Sequence, residues 1–354
     1  MQRRSLLRLG ALSAFALVGA PGCARPIKRE DVLSRLVRDV AVPELQATLK
    51  ASERLSSALS ALGATPTLTS LSFARAAFAQ CLLAWKRAQC FKNGPIVDTN
   101  ALVRATFWPP RTAAAEALMN GNDPIDQHRV DSLGVDVKGL YTLEYVLFPA
   151  GLGDDAALAL LSSQPGRRRL VFATVLATSV LEYVRRAADA MGDGDAFAKR
   201  FAEGGKQSMS RVVGQLISSV EALAISRLGA VLGLSESRLL KPTDIEGAPS
   251  HLSSQIVASE LAAVSRIYHG EGRTSLAGLV ESLSRPIAAR IDSSLSEAER
   301  AVAALKAPLE VEVSERRPAV EAALKSVKAL ERALKVDLAS TLGITLTFQA
   351  GDGD

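Results

Sequence analysis

The feature that most constrains this chain is the spacing of its apolar residues. From about residue 30 to residue 342 they recur three and four positions apart, as in Leu33, Leu36, Val37 and Val40, rather than in the strict alternation of a half-buried strand. The period predicts helices over 30–62, 68–91, 112–119, 138–148, 167–191, 205–232, 249–269, 276–283, 286–305 and 317–342, with Pro43 bending the first. Gly63-Ala64-Thr65-Pro66, Asn93-Gly94-Pro95, the 149–154 loop and Met191-Gly192-Asp193-Gly194-Asp195 supply the stops between them. In the second helix Leu71, Ala74, Phe78, Cys81 or Leu82, and Trp85 fall on one side. The reading is all-α. A length of 354 residues at 48% hydrophobic and 22% charged is enough for a sizeable core of about two domains, and it excludes a disordered or fibrous chain. No short repeat favours a solenoid, so two packed helical bundles are expected, over 30–165 and 166–350.

Residues 1–23 read as an export signal. Arg3, Arg4 and Arg8 precede an uncharged stretch from Leu9 to Gly22 that is too short to span a membrane. Gln2-Arg3-Arg4-Ser5-Leu6-Leu7 looks like a twin-arginine signal, and Ala20-Pro21-Gly22-Cys23 resembles a lipobox, which makes Cys23 the candidate lipidation site. The expected location is the cell envelope, in the periplasm, with membrane attachment only through a lipid anchor. Without the three signal arginines the formal net charge of +5 falls to about +2, and no basic stripe carries interleaved aromatics, which argues against nucleic acid. Cys81 and Cys90 remain. On one helix they stand about 13.5 Å apart, beyond the roughly 7 Å that a disulfide bridges, so buried free thiols are expected.

The usual catalytic parts are scarce. His128, His251 and His269 are scattered and form no H-E-x-x-H pair, and neither a G-x-S-x-G elbow nor a phosphate loop occurs. One segment stands apart: Gly139-Leu140-Tyr141-Thr142-Leu143-Glu144-Tyr145 places a carboxylate in an apolar, aromatic helix, with Tyr141 three residues away on the same face. A buried glutamate needs a partner, a metal or a proton. The plain alternative is a pairing with an arginine or with the Tyr141 hydroxyl.

This segment resembles the G-x-H-x-x-E motif of the imelysin family, also called insulin-cleaving metalloproteinase-like proteins, which are envelope proteins linked to bacterial iron uptake. Trp85-Lys86-Arg87-Ala88-Gln89 with Asn93-Gly94-Pro95 is similar to the family's W-x-x-A-R region and later G-P, with Gln89 in place of the arginine. Phe107-Trp108-Pro109 is similar to its W-P, Pro249-Ser250-His251-Leu252-Ser253-Ser254 to its serine-rich helix start, and Asp352-Gly353-Asp354 to its usual ending. The resemblance implies two helical bundles with a cleft at their interface, and it makes Gly139, Tyr141 and Glu144 the first site candidates. Trp85, Arg87, Trp108 and Ser250 follow, each with core packing or helix capping as the alternative.

The motif's histidine is Tyr141 here, so only Gly139 and Glu144 carry over. A phenol with a pKa of about 10 binds zinc or ferrous iron poorly unless a strongly charged ion displaces its proton. If Tyr141 and Glu144 are metal ligands, the expected ion is ferric iron. Three functions are compatible with the sequence. The first is a binding protein for iron uptake that works with an outer-membrane or periplasmic iron-uptake protein, the second a scaffold that has lost metal binding, and the third a metallopeptidase, as the family's older name implies.

Overall fold

The computed structural model describes residues 26–164, 166–234 and 244–345, and among them are helices and turns but no strand. The export signal, Cys23, Phe348 and the Asp352-Gly353-Asp354 ending lie outside the described residues. The first helix, α1, runs unbroken over 29–64 as an α-helix Arg29–Arg35, a π-helix Leu36–Ala41 and an α-helix Val42–Ala64. Pro43 has no N–H and crowds the carbonyl four residues back, and the wider π winding falls directly before it. Thr67 opens α2, Leu68–Ala88, through a reciprocal capping box with Ser70.

Two groups of helices result. In the first, α2 and α4 (Gly166–Met191) pack along the Val42–Ala64 part of α1, and α3 (Leu140–Leu147) lies against both α2 and α4. Short helices between residues 95 and 162 cover the rest of α4. In the second, α5 (205–229, α-helical Gly205–Ala222 and then π-helical Leu223–Gly229), α6 (Ser253–His269), α7 (Arg285–Ala303) and α8 (317–341) pack on one another. The contacts divide near residues 192–194. Helix α4 packs with the first group through a buried face that runs from Leu170 and Phe172 to Val184 and Ala188, while Val171, Arg185 and Arg186 stay exposed on the other side. The opening turns of α1 pack on Asp195–Glu203 and α5, so α1 belongs to both groups, and α6 of the second group packs on α2 of the first. Helix α5 is long and apolar enough to cross a membrane by length and composition alone, but 56% of that stretch is buried inside the fold.

Two expected boundaries differ. The helix expected over 138–148 is Leu140–Leu147: Gly139, at a positive φ of 83°, separates it from a 3-10 turn Val135–Val137. The expected helix start at Pro249 is a run of turns, with His251 at φ 58° and the Leu252 N–H donating to the Gly247 carbonyl at 2.8 Å; α6 begins only at Ser253. Cys81 and Cys90 are free and buried, and burial pushes both thiols up to about 12.

Phe78 and Trp85 are both fully buried on α2. Replacing either with alanine is expected to cost about 3–5 kcal/mol, measured by urea unfolding. A loss below about 1 kcal/mol for both would contradict this phasing of the helix.

Candidate functional site

Gly139 sets the position of α3. A Cβ there would stand 2.6 Å from the Ala105 carbonyl oxygen, and φ of 83° is strained for any side chain, so glycine alone lets the helix start this close to the preceding backbone. From that start α3 carries Tyr141 and Glu144 inward on one face, 2% and 0% exposed. Trp108 stands edge-on to the Tyr141 ring at 5.0 Å between centroids.

Glu144 crosses to the second group of helices. Its Oε1 accepts from the Ser250 N–H at 3.3 Å and from the Ser250 hydroxyl, both offered by the turns that replace the expected helix start. Glu144 Oε2 and the Tyr141 hydroxyl are buried and have no hydrogen-bond partner among the described residues. Burial pushes the Glu144 carboxyl up to about 7; the Ser250 hydrogen bonds oppose this and the Glu310 charge adds to it. Whether Glu144 is a carboxylate or an acid, its second oxygen is left unsatisfied, at a cost that a polar guest would relieve. Beside it, Ser253 donates to Glu310 Oε2 at 2.6 Å, and His251 meets Glu310 Oε1 at 3.1 Å while remaining 72% exposed.

Behind Tyr141 lies a group of charges that the sequence reading passed over. Lys86 of α2 is 3% exposed, and its Nζ is 5.5 Å from the centre of the Tyr141 ring. It is 2.5 Å from Glu246 Oε1 and 3.2 Å from Glu260 Oε1. Arg227 of α5 pairs with the same two carboxyls, at 3.3 Å for Glu260. Both oxygens of Glu246 lie at ion-pair distance, one from Lys86 and one from Arg227. Burial raises both carboxyls; it leaves Glu246 high, whereas Arg227 and Lys86 overcome it at Glu260 and hold that group low, at about 2. Gln89, where the family resemblance leads one to expect arginine, donates to Glu260 Oε1 at 3.2 Å. A neutral donor there keeps two cations against two carboxyls.

The remaining candidates are placed as follows. Trp85 is fully buried and its indole N–H donates to Thr106 at 2.9 Å. Arg87 faces Glu44 at 3.2 Å, on a side shared with Arg266 and away from Tyr141 and Glu144. Gly94 has φ of 58°, and a Cβ there would meet the Phe197 ring at 2.3 Å, so the Gly-Pro pair is where an aromatic of the second group packs onto bare backbone. Lys86, Arg227, Glu246 and Glu260 were missed, although Glu260 carries the same signal as Glu144: it is a carboxylate on an apolar stripe, with Ile256, Val257, Leu261 and Val264.

The donor set does not fit a metal ion. Among the described residues no group of three or more His, Cys, Asp and Glu side chains is placed to hold one. Tyr141 and Glu144 offer two oxygens that have no other partner among the described residues, and the Lys86 ammonium beside the ring already provides positive charge.

These features define an all-helical protein with a buried polar site shared between two packed groups of helices. The imelysin family model matches residues 41–335, and the chain belongs to the imelysin family. Its fold is similar to that of an imelysin-like protein from Psychrobacter arcticum 273-4, with a TM-score of 0.75 and 16% identity over 90% of this chain and 97% of the other. It is likewise similar to a putative iron-regulated protein A precursor from Parabacteroides distasonis ATCC 8503, with a TM-score of 0.74 and 15% identity over 91% and 97%. No curated protein matches the chain.

The Glu144 carboxyl is held protonated in the fold up to about pH 7, whereas in the unfolded chain it ionises near 4.5. Between those values the unfolded state binds fewer protons, so the contribution of Glu144 to stability is complete below about pH 4.5 and is lost as pH rises through about 7. Relative to Glu144→Gln, the wild type is expected to lose about 3 kcal/mol of unfolding free energy across that window. A difference that does not change with pH would contradict the placement of Glu144.

Proposed function

We propose that this imelysin-family chain is a non-enzymatic binding protein of the cell envelope that serves iron acquisition, and that its site takes an oxygen-rich iron chelate through hydrogen bonds rather than coordinating a bare ion. The observation that carries this reading is the pair of buried, unpartnered oxygens, Tyr141 Oη and Glu144 Oε2, one helical turn apart at the junction of the two helix groups. Together they offer donors and acceptors to a polar guest without supplying the ligand count of a metal centre. The name of the Parabacteroides relative, an iron-regulated protein A precursor, supports the association with iron. An export signal ending at a lipidated Cys23 would place the protein on the periplasmic side of a membrane, within reach of an outer-membrane or periplasmic iron-uptake partner. A peptidase reading has little support, because a zinc-bound water needs three protein ligands and the site offers two oxygens. The scaffold reading has one observation in its favour: the Lys86–Glu246–Arg227–Glu260 group is already charge-balanced without any guest.

Only two tryptophans are present, and Trp108 touches Tyr141. Ferric citrate is expected to change the tryptophan fluorescence of the mature protein, and Tyr141→Phe or Glu144→Gln should weaken its binding about 10-fold for each lost hydrogen bond. Ferric iron without a chelator should give no visible phenolate charge-transfer band. A band that Tyr141→Phe abolishes would overturn the hydrogen-bonding reading in favour of direct coordination. If ferric citrate leaves the fluorescence unchanged, the scaffold reading takes its place.

A further inference from the structure

A second feature lies far from Glu144, on the outer side of α8. A groove of about 550 Å³ is lined by the buried Leu232 and Leu324, by the exposed Leu234 and Ala329, and by Arg317, Lys325, Lys328 and Arg332. Its one acidic residue, Glu321, is spent on Arg317 at 2.9 Å. Lys325, Lys328 and Arg332 form no ion pair with the described residues, whereas Lys335, just beyond, is held by Glu221 and Glu331. Two apolar side chains stand out at the same place: Leu234 at 61% exposure on the groove and Val336 at 58%, one turn past Arg332 on the helix. Three cations without an ion pair among the described residues, beside an apolar surface, are complementary to a guest with a negative head and an apolar body.

The position of the N-terminus selects among such guests. Arg29 donates to the Leu342 carbonyl at 2.7 Å, which fixes the start of α1 beside the end of α8. Arg332 lies ten residues before Leu342, about 15 Å along a helix, and Cys23 lies six residues before Arg29, at most about 20 Å of extended chain. That span is long enough for a lipid on Cys23 to come within reach of the Arg332 end of the groove. We propose that the groove seats an anionic phospholipid of the bilayer, with the phosphate among Lys325, Lys328 and Arg332 and the first methylenes on Leu234 and Leu324, so that α8 lies against the membrane surface. The anchoring of Cys23 selects the bilayer, but the groove's affinity for anionic lipid does not depend on it.

Binding to vesicles by the chain from residue 24 onward, which lacks Cys23 and contains every described residue, tests this separately from lipidation. Vesicles containing phosphatidylglycerol should bind it, pure phosphatidylcholine vesicles should not, and added salt should weaken binding. At about fivefold per basic residue near the surface, Lys325→Glu/Lys328→Glu/Arg332→Glu should lower affinity at least about 100-fold, with helical circular dichroism unchanged. Equal binding to both lipids, or binding that survives the triple substitution, would overturn the proposal. So would failure to bind phosphatidylglycerol, which would leave the groove to an acidic protein segment.

Discussion

Lys86 leaves a helix whose neighbouring positions, Trp85 and Ala84, are core, and it ends between two buried carboxyls that belong to other elements. Removing four ionisable groups from water is costly, and the cost is offset only because two cations and two carboxyls meet at ion-pair distance. This arrangement has a rigid consequence. Helix α2 of the first group is tied to α5, α6 and the turns around Glu246 in the second, and any separation of the groups would expose uncompensated charge. The same turns continue to Ser250, which reaches Glu144, and the ammonium of Lys86 rests against the Tyr141 ring. The geometry of the candidate site therefore depends on the charge cluster behind it.

With that support in place, the site differs from a metal centre in kind. Its positive charge is carried by side chains, Lys86 and Arg227, and the Tyr141 hydroxyl and Glu144 Oε2 are buried without a hydrogen-bond partner among the described residues. Burial removes Glu144 from bulk solvent and no described side chain pairs with its Oε2, so its neutral form is favoured. A guest that brings its own donors and acceptors fits these groups better than an ion that needs several negative ligands.

Most of the helices were legible because burial of one face enforces the 3.6-residue period, and Leu71, Ala74, Phe78, Leu82 and Trp85 are all buried as that period requires. The start of α6 was not, because the left-handed His251 and the Gly247–Leu252 turn are backbone choices that apolar spacing does not encode. Nor was the packing of α4 on α1, since apolar spacing marks the buried face of a helix but not the element that covers it. Within the site, Glu144, Tyr141 and Gly139 were readable as a carboxylate in an apolar helix behind a glycine. Lys86 was hidden because a lysine beside Trp85 reads equally well as a solvated flank, and only the tertiary meeting with Glu246 and Glu260 makes it a core residue.

The claim that the cluster fixes the two helix groups, and with them the site, is tested most directly by a double-mutant cycle on unfolding free energy with Lys86→Met and Glu260→Gln. Each single substitution leaves a buried charge without its partner and is expected to cost about 3–5 kcal/mol, and the double substitution should cost less than the sum of the two by more than about 1 kcal/mol. Single costs below about 1 kcal/mol that simply add would contradict the account.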